Sequence, residues 1–193
     1  MYLLSRNMAA VRRNWWIRIT VFGLAGALAA LIWTNREQFM PIEAGGAVPD
    51  YAVLTLEGQP RTLSSYRGEP VLLNVWATWC PPCVREMPAL QRLHEALGPE
   101  GLRVIAVSVD APEGSINSWG RPGGDVSSFI AKHELTFEIL RDPSGDIETA
   151  YGLVGLPTTF LIDRDGRIRE RVIGWREWDR PEIVQQVREL LED

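Results

Sequence analysis

Residues 71–90 read VLLNVWATWCPPCVREMPAL, and this stretch decides the fold. Its first part, 71–77, is a mostly apolar run of the kind that is buried inside a sheet. After a two-residue turn, a helix is predicted to begin at Cys80 or at the proline that follows it, and to end near Leu97. The sequence therefore predicts a buried strand that leads directly into a helix, with a cysteine at the junction.

The segments on both sides of this stretch alternate between strand and helix patterns. The predicted elements are a β-hairpin over 51–56 and 61–63, a strand over 102–109, a helix over 126–133, a strand over 136–140, a short helix over 146–151, strands over 158–162 and 167–173, and a last helix that Asp179 begins and caps. Such alternation predicts an α/β fold in which helices flank a central sheet.

The chain has two cysteines, Cys80 and Cys83, and both lie at the predicted start of the helix. Unpaired backbone N–H groups and the positive end of the helix dipole favour a thiolate there. Since the thiolate is the species that attacks disulfides, Cys80 is expected to be the nucleophile and Cys83 to resolve the mixed disulfide. A structural disulfide is excluded, because so short a loop would constrain little of the chain. The alternative to a redox pair is two buried, inert cysteines.

The two residues between the cysteines are Pro81 and Pro82, and neither has a backbone N–H. The amide of Cys83 is then the nearby donor that remains to stabilise a Cys80 thiolate. We expect the pKa of the Cys80 thiol to be less depressed than two such donors would make it. A less stabilised thiolate makes the dithiol a better reductant.

Glu86 follows Cys83 by three residues, which places both side chains on the same face of the helix. A carboxyl group beside an apolar redox site has a raised pKa and can pass the proton that disulfide exchange requires. Spacing alone leaves a second interpretation open, in which Glu86 is a solvated carboxylate paired with a nearby arginine.

The N-terminal region has the length and flanks of a membrane segment. From Trp15 to Trp33 it is apolar with Arg18 as its one charge, and basic residues precede it. We expect residues 1–14 to be cytoplasmic, 15–34 to form a transmembrane signal anchor, 35–47 to be a tether and 48–193 to fold as one domain. The alternative is a cleavable signal peptide, for which the small residues Ala27 and Ala29 would suit the peptidase.

The net charge and the few histidines of the chain argue against a nucleic-acid partner and against a bound metal ion or cofactor. Of the 20 basic residues, five lie in residues 1–36, which contain no acid, so the remainder carries a net charge of −10. Such a domain would repel phosphate backbones, and a nucleic-acid partner is not expected. His94 and His133 are far apart in the sequence and lack clustered ligands, so no structural zinc, other metal or cofactor is predicted.

Three segments together resemble the thioredoxin superfamily, and within it the TlpA/ResA branch of membrane-anchored bacterial thiol–disulfide reductases, which have a redoxin (AhpC/TSA-like) domain. They are LSSYRG at 63–68, NVWATWCPPCVREMP at 74–88 and GLPTTFLID at 155–163. The resemblance implies a thioredoxin-like fold with a central mixed sheet, an N-terminal hairpin and an α/β insertion near 111–140.

The same resemblance assigns roles to single residues. It implies that Cys80 and Cys83 are the redox pair, that Glu86 is the acid behind them and that Pro157 is a cis-proline facing the dithiol. Trp79, with Leu156 and Pro157, is then expected to contact the substrate. Asn74 departs from thioredoxin, which has a buried aspartate in this strand. Because an amide cannot titrate, proton transfer would shift to Glu86 or to water.

The expected function is thiol–disulfide exchange, most simply as a protein-disulfide reductase at the bacterial inner membrane with its domain in the periplasm. By resemblance, electrons would arrive through a membrane donor of the DsbD/CcdA kind, and the clients would be apocytochrome c or copper-site assembly proteins. Two alternatives stay open: a disulfide oxidase or isomerase on the same scaffold, and a thioredoxin-fold copper chaperone that would require His94 or His133 beside the dithiol.

Overall fold

The computed structural model describes residues 15, 17–28, 30–31, 44–117 and 120–192. The chain divides into two units, residues 1–40 and 41–193. In the first unit, residues 17–28 are helical and exposed. Among the described residues, no helix combines the length and the hydropathy that a membrane span requires. The predicted cytoplasmic segment 1–14, Trp16 and Trp33 at the edges of the predicted anchor, and residues 35–43 of the predicted tether lie outside the described residues.

The second unit alternates strands and helices in the order that the sequence predicts. Over its described residues the elements are β1 (Ala52–Leu54), β2 (Pro60–Thr62), a 3-10 helix (Leu63–Tyr66), β3 (Val71–Trp76), α1 (Pro81–Leu97), β4 (Arg103–Ser108), α2 (Val126–Lys132), β5 (Glu138–Arg141), α3 (Ile147–Ala150), β6 (Thr158–Ile162), β7 (Ile168–Ile173) and α4 (Pro181–Glu192).

The strands form one mixed sheet in the order β2-β1-β5-β4-β3-β6-β7. The three central strands β3, β4 and β5 are parallel, and β6 pairs with β3 in the antiparallel direction. All six residues of β3 are buried, which explains why this strand is an almost continuous apolar run rather than an alternating one. The predicted thioredoxin-like α/β architecture is confirmed.

The predicted hairpin is also present. Ala52 pairs with Thr62, and Leu54 with Pro60, in antiparallel register. The turn between the two strands has Gly58 at a φ of 78°, a conformation that glycine adopts without the steric cost that other residues have. On its other edge β1 pairs with β5, so the predicted insertion over 111–140, which supplies α2 and β5, joins the hairpin to the sheet.

Helix α1 packs on the sheet through the face that its leucine spacing predicts. Leu90, Leu93 and Leu97 are fully buried, and Met87 lies on the same face one turn earlier. The helix contacts β4 and α4. These contacts bring the beginning of α1, with the dithiol, next to the loop that precedes α4.

The start of the last helix was predicted wrongly. Asp179 does not begin α4, which starts two residues later at Pro181, a residue suited to the first helical position. The Asp179 carboxylate instead accepts a hydrogen bond from Arg92 Nε, at 2.7 Å. The Asp179 carboxylate therefore forms an ion pair with α1, whereas the local sequence suggested that it caps α4.

The end of the predicted tether is part of the folded unit. The Gly45 amide donates to the Ile168 carbonyl (2.6 Å), and the Ile168 amide donates to the Gly46 carbonyl (2.8 Å). Ala47 forms a bridge with Arg167. Residues 45–47 are therefore hydrogen-bonded beside the start of β7, immediately before the predicted domain boundary at 48.

Candidate active site

The dithiol lies where β3 ends and α1 begins, as predicted. Cys80 is the N-cap of α1 and Cys83 lies in its first turn, and the two are joined in a disulfide with their Cα atoms 5.2 Å apart. Cys80 is 5% exposed, whereas Cys83 is 0% exposed. The sulfur that a partner reaches first therefore belongs to Cys80.

The two prolines have the effect that their missing N–H groups predict. Pro81 and Pro82 occupy the first two positions of α1. The amide of Cys83 points at Cys80 Sγ, at 3.3 Å, and donates to it. A thiolate at Cys80 would keep this hydrogen bond, since a sulfur anion is a stronger acceptor than a disulfide sulfur.

A groove opens beside Cys80. Its lining includes Trp79, Cys80 and Pro81 from the dithiol junction, and Leu153, Val154 and Leu156 from the segment between α3 and β6. Val154 is 78% exposed, so the groove presents apolar surface to solvent next to the reactive sulfur.

The peptide bond between Leu156 and Pro157 is cis, the conformation that the resemblance implied. The fold brings this segment, which lies just before β6, to the side of the dithiol, although it is distant from it in the sequence. Contact of Trp79, Leu156 and Pro157 with a substrate stays a prediction.

Glu86 is buried behind the dithiol, with 1% of its surface exposed. Its Oε1 accepts a hydrogen bond from Asn74 Nδ2 (2.7 Å), and its Oε2 accepts from the Arg176 amide and from Trp178 Nε1, both at 3.2 Å. Burial raises the pKa of Glu86 to about 7, although these three donors each act to lower it. The solvated, arginine-paired alternative for this carboxyl group is wrong.

Asn74 connects this carboxyl group to the sheet. The side chain is fully buried on β3, and its Nδ2 also lies 2.9 Å from Thr159 Oγ1. Thr159 is the register partner of Asn74 on β6. The amide that replaces thioredoxin's aspartate therefore positions Glu86 without titrating itself.

Two further groups at the site were not anticipated from the sequence. Trp178 is fully buried and donates to Glu86 from the loop before α4, but nothing in its local sequence marks it as part of the site. Asp110 is also fully buried, and it accepts hydrogen bonds from the Thr78 amide (2.9 Å) and Thr78 Oγ1 (2.6 Å). The sequence did contain a signal for the contact between Asp110 and Thr78. Asp110 comes just after β4, which pairs in parallel with β3, and Thr78 comes just after β3.

The two histidines lie elsewhere in the domain. His94 packs edge-on against Phe137, and His133 lies with its ring centroid 4.2 Å from that of Phe129. Within the part of the chain that the structure describes, no group of three or more His, Cys, Asp or Glu side chains could hold a metal ion.

The segment that holds this site also matches a family model, that of the AhpC/TSA family, over residues 44–171. The chain belongs to the AhpC/TSA family. The match includes the dithiol, Glu86 and the Leu156–Pro157 bond, and extends through most of the sheet.

The chain is also similar to two named bacterial proteins. The thiol-disulfide oxidoreductase ResA of Geobacillus thermodenitrificans is 37% identical over 151 residues, which cover 76% of this chain and 81% of the relative. The thioredoxin-like protein YneN of Bacillus subtilis is 34% identical over 163 residues, covering 84% and 91%.

Among solved structures, a Chlorobium tepidum protein described as the thiol:disulfide interchange protein DsbE superimposes with a TM-score of 0.66. It is 32% identical, and the match covers 78% of this chain and 99% of that one. The predicted resemblance to ResA-type relatives of thioredoxin is confirmed.

Proposed function

We propose that this chain is a thiol–disulfide oxidoreductase that reduces disulfides of client proteins outside the cytoplasm. The observation that carries the proposal is the pair Cys80–Cys83 at the N-terminus of α1, with the more exposed of the two cysteines at the cap and a buried acid behind it. Relatives that are more than a third identical to the chain over the aligned residues carry the name thiol-disulfide oxidoreductase, which supports the same reaction class.

The first step uses the reduced protein. The Cys80 thiolate attacks one sulfur of a client disulfide, the client S–S bond breaks, and the other client sulfur leaves as a thiolate. The product is a mixed disulfide between Cys80 and the client. The groove of Trp79 and Leu156 beside Cys80 is suited to hold an extended client segment during this attack.

The second step uses Cys83 and Glu86. The Cys83 thiol loses its proton to the Glu86 carboxylate, and the resulting thiolate attacks Cys80 Sγ. The bond to the client breaks, the client leaves fully reduced, and the Cys80–Cys83 disulfide forms with two electrons transferred to the client. A carboxyl group with a pKa of about 7, one helical turn from Cys83, is matched to accept and release this proton near neutral pH.

The direction follows from the single amide donor at Cys80. Because two prolines leave the thiolate with little stabilisation, the reduced form is not favoured, and the pair gives up electrons readily. We expect a reduction potential near that of thioredoxin, about −270 mV, on equilibration with a glutathione or dithiothreitol buffer. A potential near −120 mV, typical of strong oxidants, would make the protein an oxidase instead.

We further propose that the N-terminal segment over 15–34 anchors the chain in the bacterial inner membrane, with the domain in the periplasm. Its apolar composition and preceding arginines support this location. Fractionation of cells, followed by alkylation of Cys80 with a membrane-impermeant reagent, tests the membrane location and the orientation of the domain together.

A membrane dithiol donor of the DsbD/CcdA kind would re-reduce the Cys80–Cys83 pair. Apocytochrome c or copper-site assembly proteins are the proposed clients.

Trapping of clients tests the reaction itself. In the full chain with Cys83→Ala, Cys80 attacks but no second thiol resolves the product, so mixed disulfides with clients should accumulate and be released by dithiothreitol. The matched variant Cys80→Ala keeps the buried cysteine and should trap nothing. If the Cys83→Ala protein forms no mixed disulfide with any protein or with a model disulfide, the proposed function is wrong.

A further inference from the structure

The groove beside Cys80 contains two charged side chains that the mechanism above does not use. Arg121 comes from the loop between β4 and α2, and Glu148 comes from α3. The Arg121 guanidinium lies over the ring of Trp79, 5.3 Å from its centroid. A positive charge is therefore held over the residue that directly precedes Cys80.

The backbone around Arg121 is held by its own loop. The Asn117 amide donates to the Arg121 carbonyl (2.9 Å), and the Arg121 amide donates to Asn117 Oδ1 (3.0 Å). Asn117 in turn is buried, and its Nδ2 donates to the Val109 carbonyl just after β4. Asn117 thus holds the Arg121 backbone next to the end of β4.

The same loop packs closely against the turn that precedes the dithiol. A Cβ atom at Gly124 would overlap Thr78 Oγ1 and would come within 2.8 Å of Asp110 Oδ1. Because Asp110 also holds the Thr78 amide, the loop and the turn before Cys80 form one packed unit. The backbone of the loop that carries Arg121 is therefore held beside the turn that precedes Cys80.

The charges around Cys80 come from several elements. Glu148 lies on α3, Glu86 on α1 and Asp110 beyond β4, and a carboxylate at any of them would raise the pKa of a neighbouring thiol. Of the described side chains that line the groove, Arg121 is the one cation. Its charge also reaches across the groove, since it acts to lower the pKa of Glu148.

We propose that Arg121 supplies a positive charge that partly stabilises the Cys80 thiolate of the reduced protein, but by less than the amide donors that Pro81 and Pro82 lack would have done. This inference rests on the proposed thiol–disulfide exchange and adds an electrostatic residue to it. Stacking on Trp79 places the guanidinium in the groove that Cys80 also lines, while the Arg121 side chain as a whole stays exposed. Nearby positive charge is a recognised cause of a lowered thiol pKa.

The test measures the pKa of Cys80 from the pH dependence of its alkylation rate in the reduced full chain, purified in mild detergent. For Arg121→Gln we expect a rise of about half a unit to one unit at low ionic strength, since the guanidinium is partly solvated. The rise should shrink in 1 M salt, where the Debye length is only about 3 Å. Arg121→Lys should restore most of the original pKa.

Two further variants separate charge from packing. Arg61→Gln removes an arginine that also lies over an aromatic ring, 5.8 Å from Tyr66, but in a different part of the domain, so the pKa of Cys80 should not change. Glu148→Gln removes the opposing charge and should lower the pKa of Cys80.

If Arg121→Gln leaves the pKa of Cys80 unchanged, or shifts it equally at low and high salt, the role of Arg121 is refuted while thiol–disulfide exchange stands. If Cys80 of the unmodified protein does not react at all, the proposed function fails with it.

Discussion

Asn74 Nδ2 lies 2.7 Å from Glu86 Oε1, in a contact that joins the central strand to the helix that carries the dithiol. Both side chains are almost completely buried. Asn74 Oδ1 is buried as well and has no hydrogen-bond donor among the described residues. Rotation of the amide by half a turn would place this oxygen opposite Glu86, where it can accept the proton of a neutral carboxylic acid.

An asparagine at this position can therefore pair with either protonation state of Glu86. When Glu86 is ionised, Nδ2 donates to it, and when Glu86 is protonated, the turned amide accepts from it. An aspartate could not do both without changing its own charge. The departure of Asn74 from thioredoxin thus concentrates the titration behind the dithiol in the single carboxyl group of Glu86.

The raised pKa of Glu86 makes the stability of the protein depend on pH. A carboxyl group with a pKa of about 7 in the fold and 4.5 as its reference value binds more protons when folded, so stability falls as pH rises between these values. The loss at pH 8 is on the order of 3 kcal/mol. Glu86→Gln removes this titration, and we expect the variant to gain stability over the original protein at pH 8 but not at pH 4.5.

Denaturant unfolding of the disulfide form at the two pH values measures this difference. Glu100→Gln is the matched control, because the pKa of Glu100 is lowered by its hydrogen bond with Arg188 and the group is exposed. This control should show no gain at pH 8. A gain of Glu86→Gln that is equal at both pH values would mean that Glu86 does not titrate between them.

Trp178 is expected to set how far the pKa of Glu86 rises. Its Nε1 donates to Glu86 Oε2, which favours the ionised carboxylate. Trp178→Phe removes this donor and part of a fully buried ring, so the pKa of Glu86 should rise further and stability should fall by about 1–3 kcal/mol. Infrared or NMR titration of the carboxyl group measures the first effect.

The neighbouring tryptophan provides the comparison. Trp175 is 44% exposed, and its ring faces the Arg85 guanidinium at 5.0 Å. Trp175→Phe should leave the Glu86 titration where it is. Equal shifts for the two variants would show that loop packing, and not the indole hydrogen bond, controls the carboxyl group.

The parts of the site that could be predicted from the sequence are those encoded within one element or one junction. The apolar strand, the two prolines and the three-residue spacing of Cys83 and Glu86 act over a few positions, and the structure has each of them as predicted. Patterns of this kind persist because the local backbone geometry alone places the residues.

The parts that could not be predicted depend on contacts between distant segments. Trp178 reaches Glu86 only because α4 packs beside α1. Asp179 looked like a helix cap, but Arg92 on α1 takes its carboxylate, and no local rule anticipates that ion pair. Because a helix cap contributes only about 1 kcal/mol, tertiary contacts can override a capping preference.

Replacement of Asn74 by aspartate should couple two acids. A second carboxyl group within hydrogen-bond distance of Glu86 cannot ionise easily, so the pair would share one proton, and its upper apparent pKa should lie above 7. We expect Asn74→Asp to be nearly neutral for stability at pH 4.5 and clearly destabilising at pH 8. The double variant with Glu86→Gln has one acid and should lose most of this pH dependence. If the single and double variants show the same pH profile, the two side chains are not coupled.

Gly124 provides a test of the contact between the loop and the dithiol turn. A Cβ atom there meets Thr78 Oγ1 and Asp110 Oδ1, neither of which can retreat without breaking the hydrogen bonds between them. Gly124→Ala should therefore cost about 1–3 kcal/mol of stability, the usual range for overpacking, and should change the alkylation rate of reduced Cys80. Gly155→Ala is the control, because no atom lies within 4 Å of its added Cβ although it borders the same groove. Thermal unfolding measures the change in stability of both variants, and the alkylation rate of reduced Cys80 measures the change in reactivity. The packing that holds the Arg121 loop against the turn before Cys80 predicts a difference between them. A Gly124→Ala protein as stable and as reactive as the Gly155→Ala protein would contradict it.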